Sequence, residues 1–341
     1  MPDLRDHTTL RLGGPADEWV TATTEAEIAA AFDTDLPVLV LGGGSNLVVA
    51  DDGFRGRVVE IATRGISPDV EDAPVDGQSS CGGVLVTVAA GESWDDFVAL
   101  AVEKEWAGIE ALSGIPGSVG ATPIQNVGAY GQEVSQTIAS VRVWDRRLSG
   151  VRTFANADCG FGYRTSRFKA DPGRHVVLSV TFQLRQGSLG RPVAYAELAR
   201  ALGIEVGERT ALADVRRAVL DLRRGKGMVL DAEDHDTWSA GSFFTNPVVP
   251  AADVPDGAPA WPQPDGTVKT SAAWLIDHAG FAKGHGTERV ALSGKHTLAL
   301  TNRGGATTAE LLALAREVRD GVEVRFGIRL VNEPVLVGCS L

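Results

Sequence analysis

Three consecutive glycines in Leu41-Gly42-Gly43-Gly44-Ser45-Asn46-Leu47 directly follow Pro37-Val38-Leu39-Val40-Leu41, an apolar run that reads as a buried strand. Glycine at such a place permits positive φ and presents several backbone N–H groups to one anion, the geometry of a phosphate-binding nest. The residues after the glycines constrain the fold further. Gly44 leads into Ser45-Asn46-Leu47-Val48-Val49, a β-rich run where a dinucleotide-binding GxGxxG turn would open a helix. No Lys-Ser or Lys-Thr sits at Walker A spacing either. A second stretch, Ser113-Gly114-Ile115-Pro116-Gly117-Ser118-Val119-Gly120, repeats the chemistry about seventy residues later. Each loop alone is equally well a tight turn that needs glycine for its conformation. Together they suggest a diphosphate gripped by two loops without a helix dipole.

The rest of the chain reads as α+β in two unequal parts. Its 341 residues are about twice one typical domain, so two or three domains are expected. Strands are expected at 57–61, 84–89, 138–144, 176–184 and 328–337, the last closing the chain. Thr24-Glu25-Ala26-Glu27, Ser93-Trp94-Asp95-Asp96 and Thr307-Thr308-Ala309-Glu310 have the form of capping boxes and open helices. Helical spacing also marks 212–222 and 272–279, whereas 187–192 has linker composition and 253–265, with four prolines, reads as an irregular surface loop.

Composition narrows the function classes. With 44% hydrophobic and 22% charged residues, the chain can bury sizeable cores. No run approaches the roughly 18–20 apolar residues of a membrane span, and the first residues show no secretory pattern. Cys81, Cys159 and Cys339 are far apart and lack any CxxC, which fits a reducing cytoplasm and offers no zinc pattern. His7, His175, His235, His278 and His285 show no metal spacing, and no metal is expected. A net charge of −12 disfavours nucleic acid and anionic membranes but leaves room for an anionic small molecule in a locally basic pocket. A soluble cytoplasmic enzyme is expected.

Several polar residues stand in surroundings that suit chemistry. Arg164 lies in a run of charged and hydroxyl residues between phenylalanines, where a guanidinium suits a developing enolate; a structural salt bridge is the commoner fate of a single arginine. Ser242 follows Gly241 and precedes Phe243-Phe244, bulk that excludes water, yet a turn or cap serine looks the same. Glu333 interrupts an apolar strand, where a carboxylate costs several kcal/mol unless paired or protonated; a strand end facing water is the alternative. Tyr195, Arg223, Lys226 and Asn246 form a set able to grip a nucleotide diphosphate, although Arg223 and Lys226 equally suit the basic last turn of a helix.

These motifs resemble a known family. Gly42-Gly43-Gly44-Ser45-Asn46, Ile115-Pro116-Gly117-Ser118-Val119-Gly120 and Pro123-Ile124-Gln125-Asn126-Val127-Gly128-Ala129-Tyr130-Gly131 are similar to those of the MurB flavoenzymes, the UDP-N-acetylenolpyruvoylglucosamine reductases. The resemblance continues through Phe161-Gly162-Tyr163-Arg164-Thr165-Ser166-Arg167-Phe168-Lys169, Gly241-Ser242-Phe243-Phe244-Thr245-Asn246-Pro247 and Ala273-Trp274-Leu275-Ile276-Asp277, and ends at Asn332-Glu333-Pro334. Many members read Pro-Glu where this chain reads Asn332-Glu333.

The resemblance implies an FAD-binding domain of the vanillyl-alcohol-oxidase type over 1–205, in subdomains of about 1–68 and 69–205. It places a substrate-binding domain over 206–341, its last strand returning toward the flavin. It further implies non-covalent FAD held by Gly42, Gly43, Gly44, Ser45, Asn46, Ile115, Pro116, Gly117, Gly120, Ile124 and Gly128. NADPH would load the flavin with hydride, and the enolpyruvyl ether of UDP-N-acetylglucosamine would become UDP-N-acetylmuramate, a peptidoglycan precursor. Ser242 would protonate C2 after hydride reaches C3, with Arg164 and Glu333 stabilising the enolate. Tyr195, on a loop of the type I members, would close over the uridine diphosphate with Arg223, Lys226, Asn246 and His296 as further substrate contacts. A monomer is expected. Two other readings remain open: a flavin oxidase with the same kind of domain, and a nucleotide-binding protein without activity.

Overall fold

The computed structural model describes residues 2–69 and 83–341, so Cys81 lies outside the described residues. The chain forms two compact units. One comprises Glu18–Gly43 and Gly56–Arg224; the other comprises Met1–Asp17, Gly44–Arg55 and Gly225–Leu341. The expected boundary at 205 does not coincide with this division. Residues 206–224 fall in the first of these units, where Val215 and Val219 of the helix Leu212–Gly225 pack with Ala111, Val193 and Leu198. The first seventeen residues belong with the C-terminal part.

In the unit holding Gly56–Arg224, a six-stranded antiparallel sheet runs Gly150–Ala155, Ile138–Asp145, His175–Gln186, Gly83–Ala89, Ile66–Asp69, with Trp106–Ala107 paired to Arg185 and Gln186 at the end of His175–Gln186, across that strand from Gly83–Ala89. Strict alternation explains the core: Val84, Val86 and Val88 are buried while Leu85 and Thr87 are exposed. The helix Trp94–Glu103 lays Trp94 and Phe97 against Phe182, with ring centroids 5.2–6.0 Å apart. Fully burying such a side chain contributes about 1.5–3 kcal/mol. Ser93 caps this helix through the Asp96 N–H, and Thr24 forms a full capping box with Glu27 at the head of Glu25–Ala31. The strand Val38–Leu41 lies parallel to Phe54–Ile61 and ends at the first glycine loop.

In the other unit, the helix Thr308–Phe326, capped by Thr307 and Glu310, buries Leu311, Ala315, Val318 and Val322 in a core shared with Phe243, Phe244, Leu275 and Ile276. The strand Leu47–Val49, just past the glycine loop, pairs in parallel with Val335–Val337. That last strand is shorter than the expected 328–337. Pro334 has no N–H for a ladder bond, and 328–334 forms no regular strand, only one bridge, Asn332 to Phe244. The expected loop at 253–265 contains a short exposed strand, Ala260–Pro262, paired with Thr267–Thr270. Among the described residues no helix is long and apolar enough to cross a membrane.

Candidate functional site

Gly42 and Gly43 lie in the same unit as the second glycine loop, and the two loops touch. A Cβ on Gly42 would sit 2.6 Å from Ser118 Oγ, which would have to turn away, and one on Gly43 would sit 2.6 Å from the Gly117 Cα, backbone that leaves no room for a larger residue. Gly117 has φ +117°, and a Cβ on Gly120 would lie 2.5 Å from Ala90 Cβ. The second loop is clamped from behind: Trp94 N–H donates to Gly117 O at 3.0 Å, Val119 N–H to Glu92 O at 2.8 Å, and Gly120 N–H to Ala90 O at 2.9 Å. The amides of Val119 and Gly120 are therefore engaged, whereas those of Gly43, Gly117 and Ser118 make no hydrogen bond among the described residues. A cradle that only glycine permits, with amides still open, suits one oxyanion. Ile115 packs against the hydrophobic core beneath this loop.

The second half of the first loop, Gly44, Ser45 and Asn46, belongs to the other unit. Gly44 has φ +61°, and its missing Cβ makes way for the His7 carbonyl, 1.9 Å from where that atom would be. Asn46 O accepts from Val335 N–H at 3.0 Å, which ties the loop to the Glu333 segment. That segment in turn pairs with the serine loop. Glu333 N–H donates to Phe243 O at 2.8 Å and Thr245 N–H to Val331 O at 3.0 Å. On its other side, Phe243 N–H donates to Leu298 O at 2.7 Å. Gly241, with φ +73°, turns the chain into Ser242, and the next two side chains, Phe243 and Phe244, are buried. Ser242 and Glu333 are both half-buried, on adjoining segments of one unit.

Arg164 occupies a two-residue turn. Gly162 and Thr165 exchange backbone hydrogen bonds at 3.1 and 3.3 Å, with Tyr163 and Arg164 between them. Arg164 has φ +53°, a conformation that costs a non-glycine residue about 1–3 kcal/mol and persists only when its surroundings enforce it. Those surroundings are specific. Its Nη2 donates to Gly128 O at 2.9 Å, and Lys169 Nζ donates to its carbonyl at 3.0 Å. Buried Asn126 donates to Gly162 O at 3.1 Å and to Glu133 Oε2 at 2.8 Å, and accepts from Ser135 N–H at 3.1 Å. Ser166 Oγ reaches Ile124 O at 2.5 Å. Gly128 matters sterically as well, since a Cβ there would approach Glu133 Cγ at 2.8 Å and Arg164 Nη1 at 3.5 Å. Ile124 and Gly128, expected beside the cofactor, are thus bonded to the arginine turn through their carbonyls.

Tyr195 precedes the helix Ala196–Leu202, is 46% exposed and meets Tyr130 edge to face at 5.6 Å. Tyr130 sits at φ +48° in the turn between Gly128–Ala129 and Gln132–Glu133. The Arg223 Nε is buried, and burial lowers the guanidinium to about 10, with Tyr130 and Asp95 pulling the other way. It remains charged at neutral pH. Burial pushes the Asp95 carboxyl up, but Arg216, at 2.6 and 2.9 Å, and the Gly114 N–H bring it below its ordinary value. In the other unit, Asn246 Oδ1 accepts from Ala272 N–H at 2.9 Å, which commits its oxygen to a helix start. His296 lies in the turn between Val290–Leu292 and Leu300–Asn302, and its N–H donates to Ser293 Oγ at 3.1 Å. Ser293 Oγ donates to Asp236 Oδ2 at 3.0 Å, and Arg303 approaches Asp236 at 3.2 Å. Lys226 is half-buried in the same unit. Sequence reasoning missed Asn126, Lys169, Asp236 and the part played by Tyr130; positive φ at a non-glycine residue leaves no mark in sequence.

Residues 233–337 match the model of the UDP-N-acetylenolpyruvoylglucosamine reductase C-terminal domain, and residues 17–147 match a FAD binding domain. A UDP-N-acetylenolpyruvoylglucosamine reductase of Cutibacterium acnes is 59% identical over 98% of this chain and 89% of its own length. One from Streptomyces avermitilis is 57% identical over 98% and 93%. The crystal structure of the Thermus caldophilus reductase superposes with a TM-score of 0.67 at 26% identity, covering 98% of this chain and 97% of that one.

Proposed function

Since the chain belongs to the UDP-N-acetylenolpyruvoylglucosamine reductase family, an FAD-dependent oxidoreductase family of peptidoglycan precursor synthesis, we propose that it uses NADPH to reduce the enolpyruvyl ether of its UDP-sugar to UDP-N-acetylmuramate, with Ser242, Arg164 and Glu333 as its catalytic residues. The touching glycine loops fit the cofactor: Gly42, Gly43 and Gly120 leave room that a Cβ would fill, Gly117 takes the φ of +117° that glycine allows, and the amides of Gly43, Gly117 and Ser118 suit its pyrophosphate. When bound, FAD supplies hydride to the carbon β to the substrate carboxylate.

The protein's own residues then have two tasks. Charge develops on the carboxylate-conjugated carbon, and Arg164 supplies a fixed positive charge for it. Its turn is enforced from several neighbouring groups, so little reorganisation is needed at the moment of reaction. Glu333, if protonated or bridged by water, donates to the same developing enolate. Ser242 gives its proton to C2; a hydroxyl is a weak acid, but the carbanion it meets is strongly basic. Tyr195, Arg223, Lys226, Asn246 and His296 are the proposed contacts to the UDP-sugar. The proposed setting is a cytoplasmic monomer.

The observation that carries this reading is the hydrogen-bonded pairing of the Ser242 loop with the Glu333 segment, which sets a hydroxyl and a carboxylate on neighbouring backbone beside two buried phenylalanines. Anaerobic reduction by NADPH, then addition of the enolpyruvyl UDP-sugar, tests it: the flavin colour is expected to bleach and then return with sugar alone. Colour that returns only when air is admitted would favour an oxidase and contradict the reading.

A further inference from the structure

The unit holding Gly56–Arg224 carries a second concentration of cations, on residues that neither glycine loop contains. One cavity of about 640 Å³ is lined by Phe32, Asp33, Trp144, Arg146 and Arg147 among others. A neighbour of about 460 Å³ is lined by Arg152, Phe154, Arg167 and His175, and both reach Asp171 and Arg174. Five arginines thus face Asp33 and Asp171, with buried Asp145 paired beneath. The local balance is positive in a chain of net charge −12.

Some of these charges are matched inside the protein. Arg174 forks onto Asp145 at 2.9–3.2 Å and also reaches Asp171 at 3.4 Å. Arg147 pairs with Asp171 at 3.0 Å, and Arg146 donates to Gly173 O at 2.7 Å. Three groups are not matched in this way. Arg167 has no carboxylate partner among the described residues, and Arg152 only approaches Asp145 at 3.7 Å. Both guanidinium groups lie over one ring, that of Phe154, at 4.6 and 5.0 Å. His175, whose side chain is 2% exposed, makes no hydrogen bond from either ring nitrogen, and its nearest carboxylate is Asp145 at 3.7 Å. A buried imidazole without hydrogen bonds is costly, and so are two like charges sharing one ring.

We propose that Arg152, Arg167 and His175 form a second anion site, which takes the phosphate group of a small molecule. The three donors stem from three elements: Gly150–Ala155, Arg167–Ala170 and His175–Gln186. A tetrahedral dianion can give each donor its own oxygen, which a planar carboxylate cannot. Phe154 and Phe168 hold the imidazole edge to face at 5.4 and 5.8 Å, so its orientation is set before the ligand arrives. A ligand larger than phosphate has the adjoining cavity, with Phe32 and Trp144, for its body.

The test monitors the imidazole resonances of ¹⁵N-labelled FAD-bound protein at neutral pH while inorganic phosphate or glucose 6-phosphate is added. The His175 signals are expected to move saturably. Arg167→Gln, an exposed position, is expected to weaken binding about tenfold while flavin content and turnover stay unchanged. Tighter binding of the sugar phosphate would assign the larger cavity to the ligand's body, and equal affinity would make phosphate itself the occupant; both uphold the site. Unmoved His175 signals with either probe, or the same affinity in Arg167→Gln, would overturn it.

Discussion

Glu333 donates its backbone N–H to the Phe243 carbonyl at 2.8 Å, one residue beyond Ser242. The bond anchors the carboxylate segment against the serine loop, and Leu298 O holds the same Phe243 from its other side at 2.7 Å. For the proposed delivery of a proton from Ser242 to one face of a carbon, such a backbone matters, because small misplacements cost large factors in rate.

The contact between the glycine loops gives a sharp expectation. In Gly43→Ala the new methyl would lie 2.6 Å from the Gly117 Cα, backbone that cannot rotate away. Flavin retention after gel filtration is expected to fall by at least about tenfold while the far-ultraviolet spectrum changes little. Full flavin content in this variant would remove the loop contact from cofactor binding. In the parent, acid precipitation should release the yellow chromophore into the supernatant, since no His or Cys lies in either loop.

Asn126 is expected to act as a positioning residue for Arg164. It is 1% exposed and bonds Gly162, Glu133 and Ser135 at once. Asn126→Ala should cost about 1–3 kcal/mol of stability. It should also slow reoxidation of the reduced flavin by the sugar about tenfold, with reduction by NADPH unaffected. A variant that loses stability alone would make Asn126 purely structural.

Asp145 links stability to pH. The Arg174 hydrogen bonds hold its carboxyl at about 2, below the ordinary 3.8, although burial opposes them. A depressed folded-state value contributes stability that is complete above about pH 4 and is lost as pH falls toward 2. Urea midpoints of the parent should therefore drop between pH 5 and pH 3, and Asp145→Asn should flatten that drop while lowering the midpoint at pH 5. Equal slopes for both proteins would assign the acid sensitivity elsewhere.

Much of the fold is legible in the sequence, and the exceptions share a cause. Capping boxes at Thr24 and Thr307 and the alternation at 84–89 announce their elements because each signal lies within a few residues. The glycine runs suggest two loops gripping one anion, and Gly43 does pack on Gly117. The Glu333 segment reads as strand because it interrupts an apolar run, yet Pro334 ends the ladder and regular pairing begins only at Val335. The left-handed turn at Arg164 is enforced by groups such as Asn126, thirty-eight positions away, and no local pattern encodes that. Asp236 likewise reaches Ser293 across fifty-seven positions.

Lys226 is expected to bind the UDP-sugar diphosphate. Lys226→Ala should raise the apparent KM for the sugar and weaken its salt dependence, with kcat little changed. An unaltered KM and salt response would make it a surface charge.

The proposed proton donation from Ser242 to C2 is separable from a structural role by stopped-flow resolution of the two half-reactions. Ser242→Ala should bind FAD and accept hydride from NADPH at the parent rate, then fail when the reduced flavin meets the enolpyruvyl sugar. Ser242→Cys should recover part of that step, because a thiol keeps a transferable proton at nearly the same place. An Ala variant whose flavin is reoxidised by the sugar as fast as the parent's would contradict the account.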